Sequence, residues 1–107
     1  MYYIYNEMSE KIELEYDHEK NLRNIKERGL PFDLGEFVLT DPNVATKRDI
    51  RKNYGEDRFL SFGKAGELNL CLCWTPRNGK VRVITLFKVH EKEWEKHYGK
   101  NDNQKFG

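Results

Sequence analysis

A chain of 107 residues, 37% hydrophobic and 35% charged, suits one domain with a modest core, and it holds no apolar run near the roughly 18–20 residues that span a bilayer. Six Phe, six Tyr and two Trp supply apolar area that a disordered polyelectrolyte lacks. The net charge of +1 hides a split: residues 1–46 carry five Lys/Arg against ten Asp/Glu, and residues 47–107 carry fourteen against eight. A basic second half fits a polyanionic partner, or else a solvated face that pairs with the acidic half. The opening residues Met1-Tyr2-Tyr3-Ile4-Tyr5-Asn6 lack the basic start and long apolar core of a secretory signal, so a cytoplasmic protein is expected.

Residues 12–16 (Ile-Glu-Leu-Glu-Tyr) alternate apolar and acidic and predict a half-buried strand. Asp17 then offers an N-cap, Glu19 suits the positive start of a helix, and Gly29 a left-handed stop. Leu22 and Ile25 are spaced for that helix's apolar face. After Leu30-Pro31-Phe32, the i, i+3, i+4 set Leu34, Phe37 and Val38 predicts a second, short helix, ended by Asp41-Pro42-Asn43. Residues 43–55 read as an exposed loop or a ragged strand, with the loop preferred because Lys47, Arg48, Arg51 and Lys52 sit among polar neighbours. Three strands follow. Phe59 to Phe62 precedes a turn over Gly63–Gly66; Leu68, Leu70, Leu72 and Trp74 share one face of the next strand; Asn78-Gly79, with Pro76 beside it, is a hairpin signal. Val81, Val83, Thr85 and Phe87 alternate with Arg82, Ile84, Leu86 and Lys88 in the last strand. A closing helix over 90–98 carries Trp94 and Tyr98 at i, i+4 and stops at Gly99. The expected order is β-α-α-β-β-β-α: an α+β fold with a small, mainly antiparallel sheet and helices packed on it. Residues 1–11 are expected to be an extension, 12–99 the core and 100–107 a flexible tail, all in a single domain over 1–107.

Several chemistries find no support. Cys71 and Cys73 would point to the same strand face about 6.6–7 Å apart, at the limit for a disulfide, and neither His90 nor His97 is spaced to complete a zinc site with them. They read as small core residues in a reducing compartment. Glycine-rich phosphate loops are absent, and serine is nearly absent. No helix carries the dense basic face of a major-groove reader. Neither a cofactor nor a metal is expected.

The order and spacing of several short pieces are similar to the BrnT-type toxins of bacterial type II toxin–antitoxin modules. The pieces are Tyr16-Asp17-x-Glu19-Lys20 with Asn24, Gly29-Leu30-x-Phe32, Phe37-Val38-Leu39, Asp41-Pro42, Glu56-Asp57-Arg58-Phe59 with Gly63, Trp74-Thr75, and Gly79-Lys80-Val81-Arg82-Val83-Ile84-Thr85. They span about residues 13–98. The resemblance implies a RelE-like fold, RNA cleavage that slows translation, and neutralisation by a co-encoded antitoxin with a ribbon-helix-helix DNA-binding domain, so that operator DNA is reached only through the complex. The chain departs from the family pattern in two places. Glu27-Arg28-Gly29 replaces Lys-His-Gly, and Leu86 and Phe87 follow Thr85 where an arginine is common, leaving Lys88 as the nearest cation. If the absent groups take part in chemistry, the chain is weakened or inactive and serves as a binding module for its antitoxin. Met1 to Glu7 also lie outside the pattern, with Met8 an alternative start.

Metal-free RNA cleavage needs a base for the 2′-OH, a cation for the charge growing on phosphorus, and an acid for the leaving 5′-oxygen. Arg58 and Arg82 are the phosphate-stabilising candidates, because guanidinium holds phosphate bidentately and stays charged. Lys88 is the third cation, Glu56 the carboxylate base, and His90 an alternative acid or base. Lys47, Arg48, Arg51, Lys52, Arg77 and Lys80 would guide the RNA backbone. Arg58, Arg82 and Lys88 are thus expected around one phosphate. Each also has a plain structural use: Glu56 and Arg58 as a strand-edge ion pair, Arg82 snorkelling from the core edge, His90 as a helix-start residue.

Overall fold

The computed structural model describes residues 12–100. The expected extension at 1–11, and the tail apart from Lys100, lie outside the described residues. In chain order the elements are β1 (Leu14–Glu15), α1 (His18–Arg28), a 3-10 turn (Phe32–Leu34), α2 (Gly35–Thr40), β2 (Ala45–Arg48), β3 (Phe59–Ala65), β4 (Leu68–Arg77), β5 (Lys80–Lys88) and α3 (Glu91–His97). The strands form one mixed sheet in the order β1-β5-β4-β3-β2. β1 runs parallel to β5, and every other neighbour pair is antiparallel.

The helix caps follow the sequence. Asp17 accepts the N–H groups of Glu19 (2.8 Å) and Lys20 (3.2 Å), and Gly29 closes α1 at φ 71° with its N–H on the Ile25 carbonyl. The inward face of α1 differs from the expected one. Leu22 and Ile25 are 51% and 38% exposed, while Asn24 is buried. The Asn24 amide donates to the carbonyls of Leu30 (2.9 Å) and Leu86 (3.0 Å), and its oxygen accepts from Arg28. β1 pairs β5 only at Val81 and Arg82, so β5 has an uncovered edge further along, and Asn24 supplies the donor that the Leu86 carbonyl lacks there.

Residues 45–48 are a strand rather than the exposed loop that their polar neighbours predict. Ala45 pairs with Phe62 and Arg48 with Phe59, and the Thr46 and Ser61 hydroxyls meet at 2.7 Å. The polar run misled because β2 is an edge strand, where lysine and arginine are ordinary. β3 continues through Gly63 to Ala65, which moves the turn to Gly66-Glu67. Gly63 stays in the strand because α2 lies on it: a Cβ there would stand 2.5 Å from the Val38 carbonyl oxygen. Pro76 lies inside β4, opposite Val81, at a point where β3 has already ended and no ladder N–H is required on that side. The Asn78-Gly79 hairpin forms as expected, with both residues at positive φ.

Two clusters pack on opposite faces. Leu30, Phe32, Val38, Leu70, Leu72, Val83 and Leu86 form the first, under α2. Phe62, Cys71 and Trp94 form the second, under α3, where Trp94 and Tyr98 stack at 4.2 Å. The simple alternation expected for β5 fails at Ile84, the extra residue of a bulge between the Trp74–Val83 and Cys73–Thr85 pairs; Val83 and Leu86 therefore reach the same core. Asp41 ties the layers together, accepting from the N–H groups of Asn43 and Lys64 and from the Tyr98 hydroxyl at 2.8–2.9 Å. Cys71 and Cys73 are free and buried, and burial pushes the Cys71 thiol up to about 12. Among the described residues no helix is long and apolar enough to cross a membrane.

Candidate nucleic-acid interface

One end of the sheet gathers charge on the α3 face. Arg82 lies between Val81 and Val83, both packed on the first core, so its side chain stands on the other face. It is opposite Thr75 on β4 and Glu15 on β1, and its guanidinium is 3.6 Å from the Glu15 carboxylate. Arg58 precedes Phe59, whose ring packs on Trp74 at 5.1 Å towards the first core, and so Arg58 also turns to the α3 face. The Thr75 hydroxyl donates to the Asp57 carbonyl at 2.6 Å, which locks the start of β3 against β4. Two strand spacings, about 10 Å, therefore separate the backbones at Arg58 and Arg82. Both side chains keep some access to solvent, 27% and 30% exposed.

Each arginine has a carboxylate partner. The Arg58 Nε donates to Glu56 at 3.1 Å, and its guanidinium lies 4.1 Å from the centre of the Tyr54 ring. The loop that carries these groups is shaped by Asp49, whose carboxylate is 1% exposed. Arg51 grips it bidentately at 2.7 Å, and the Tyr54 hydroxyl donates to it at 3.1 Å. The Arg51 hydrogen bonds, outweighing burial, hold the Asp49 carboxyl well below the usual carboxylate range. Arg48 pairs with Asp57 across the same loop. A cavity of about 540 Å³ opens beside Arg48, Lys52, Tyr54, Glu56, Asp57 and Arg58.

The other candidates divide. Arg77 and Lys80 face each other at the tip of the β4–β5 hairpin, next to the Arg82 end. Lys47, Arg48, Arg51 and Lys52 follow β2 and its loop towards Arg58. Lys88 does not join Arg58 and Arg82. It stands opposite Leu70 of the first core, while its neighbour Phe87 packs with the second, so it lies on the α2 face. It is also six residues, about 20 Å, along β5 from Arg82. His90 is the N-cap residue of α3, makes no side-chain cap bond, and belongs to that far end too. Arg28 bonds Asn24 at 2.8 Å and reaches the Thr85 hydroxyl at 3.3 Å, a structural use for the residue that departs from the family pattern.

Four contributors were not singled out from sequence: Glu15, Asp49, Tyr54 and His97. Glu15 meets Arg82 only through the parallel β1–β5 pair. Asp49 and Tyr54 sit in a segment read as solvated loop, although the acid–arginine pair at i, i+2 was a usable signal. His97 stacks on Phe62 at 4.4 Å, with Glu93 at 3.0 Å and the Lys47 ammonium at 3.4 Å.

An α+β chain with a mixed five-stranded sheet, helices on both faces and paired arginines at one sheet end is compatible with a small toxin fold. The family described as ribonuclease toxin, BrnT, of type II toxin–antitoxin systems matches residues 16–93, and the chain belongs to it. No curated protein matches the chain.

Proposed function

We propose that this chain is the toxin of a type II module: a metal-independent endoribonuclease, RelE-like in fold, that slows translation in the cytoplasm. The observation that carries this reading is the row formed by Arg58 and Arg82 on one open sheet end, each beside a carboxylate, Glu56 and Glu15. Glu56 takes the 2′-OH proton, the 2′-oxygen attacks phosphorus, and Arg58 and Arg82 neutralise the charge that grows on the phosphoryl oxygens. The P–O5′ bond breaks and the 5′-oxygen takes a proton from solvent, leaving a 2′,3′-cyclic phosphate and a 5′-hydroxyl. Glu15 orients Arg82. Lys47, Arg48, Arg51, Lys52, Arg77 and Lys80 hold the flanking backbone through charge, so affinity falls steeply with salt.

A co-encoded ribbon-helix-helix antitoxin neutralises the toxin, and operator DNA is bound only by the complex. Expression of the chain alone in bacteria tests the reading. Growth arrest with RNA breakdown is expected, both relieved by R82A and by co-expression of the antitoxin. Unchanged growth and intact RNA at high expression would favour the alternative, a catalytically silent antitoxin-binding module. The structural engagement of Arg28 and the remote placement of Lys88 are the observations on that side.

A further inference from the structure

The cavity beside β2 and β3 holds an arrangement that backbone binding does not require. Arg58 is fixed twice, at Nε by Glu56 (3.1 Å) and by the Tyr54 ring, over which its guanidinium carbon lies 4.1 Å from the centre. The Tyr54 ring is itself pinned at its hydroxyl by the buried Asp49, and the Lys52 ammonium lies 5.6 Å from the ring centre. The result is a guanidinium held over a phenol ring, both anchored by carboxylates, on the wall of a cavity of about 540 Å³. Unpaired bases stack on aromatic rings and on guanidinium planes, and such stacking tolerates any base.

The cavity also presents acceptors. Arg48 engages one oxygen of Asp57, so that carboxylate keeps its second oxygen for a ligand. A carboxylate repels phosphate, but its free oxygen, with the remaining lone pair of the engaged one, accepts two parallel N–H bonds from the Watson–Crick edge of guanine, which presents N1–H beside its amino group. Adenine and cytosine present one exocyclic donor beside an acceptor, and uracil one N–H between two carbonyls.

We propose that Tyr54 and Arg58 form a stacking subsite for one unpaired nucleobase next to the scissile phosphate, and that Asp57 biases it towards guanine. This rests on the reading of the same sheet end as an RNA-binding site. Lys52 then serves the phosphate of the stacked nucleotide, and the base fixes the register of the RNA over Arg58 and Arg82.

The test uses binding, not turnover, so that it is separable from nuclease activity. Fluorescently labelled 2′-O-methyl pentamers UUGUU, UUAUU, UUCUU and UUUUU have no free 2′-OH and cannot be cleaved. Their anisotropy is titrated with the full chain and with Y54A, Y54F and Y54L. The expected result is tightest binding of UUGUU by the unsubstituted chain, about tenfold weaker binding by Y54A and Y54L, and a smaller loss by Y54F, which keeps the ring but not its bond to Asp49. D57N narrows the gap between UUGUU and the other pentamers. Y54L retains bulk and carries the test if Y54A fails to fold. Equal affinity of Y54L and the unsubstituted chain overturns the subsite. Equal binding of all four pentamers by the unsubstituted chain overturns the guanine bias. RNA cleavage lost while these differences persist removes the nuclease reading and leaves the subsite standing.

Discussion

Asn24→Ala separates the observed packing of α1 from the packing its apolar residues imply. The substitution removes a side-chain donor shared by two carbonyls, those of Leu30 and Leu86, both met at 2.9–3.0 Å in a buried position. A buried carbonyl left without a donor costs about 1–3 kcal/mol. Two such losses, partly offset by water entering the space, give about 3 kcal/mol. With an unfolding entropy of about 2.1 cal/mol/K per residue, a chain of 107 residues loses about 13 °C in Tm. Leu22→Ala is the control. That side chain is 51% exposed, alanine is a better helix former, and the change stays within about 0.5 kcal/mol. Thermal melts followed by circular dichroism, with urea titrations for ΔG, measure both. The reasoning is refuted if Leu22→Ala costs several kcal/mol while Asn24→Ala is nearly silent, because that is the result of α1 packing through Leu22 and Ile25.

Gly63→Ala should be severely destabilising, by about 3 kcal/mol or more, since its Cβ would meet the Val38 carbonyl oxygen at 2.5 Å and α2 must shift; a urea midpoint within error of the unsubstituted protein would contradict this. Asp41→Ala should cost about 2 kcal/mol by leaving the Lys64 N–H and the Tyr98 hydroxyl without their shared acceptor, read from the same melts. Burial raises the Asp41 carboxyl, but donors from Asn43, Lys64 and Tyr98 outweigh it and hold it low; at Asp49 the Arg51 hydrogen bonds do the same. Folded-state values below the unfolded ones mean that both groups stabilise the fold fully above about pH 5 and lose that contribution as pH falls through about 4 and below, so urea midpoints should drop over that range and drop less in D41A. Cys71, buried and with its thiol pushed up to about 12, should resist iodoacetamide at pH 8 in the folded protein and react on unfolding, as mass spectrometry would report.

What was legible in the sequence was local. Asp17 and Gly29 mark α1 because caps need only their own backbone, and Asn78-Gly79 marks its hairpin because positive φ is a property of those residues. What was not legible depends on partners far along the chain. Asn24 is a core residue only because the Leu86 carbonyl, 62 positions away, needs a donor. Arg48 and Lys47 belong to a strand only because β3 offers an edge. The bulge at Ile84 changes the faces of the residues after it, and no alternation pattern announces it. For the interface, Arg58 and Arg82 were singled out and lie on one sheet end. Lys88 is near Thr85 in sequence, but that nearness says nothing about the face reached after a bulge. Glu15 and Tyr54 required the sheet and the loop to be folded before their arginine partners were known.

The most direct test is cleavage of a single-stranded RNA by the purified chain in EDTA, with R58A, R82A and K88A compared at matched folding by circular dichroism. Fragments ending in 2′,3′-cyclic phosphate, lowered on the order of 100-fold by R58A and by R82A but retained by K88A, are predicted. Cleavage that survives loss of both arginines, or that disappears with K88A alone, would contradict a reaction centre at the Arg58–Arg82 end of the sheet.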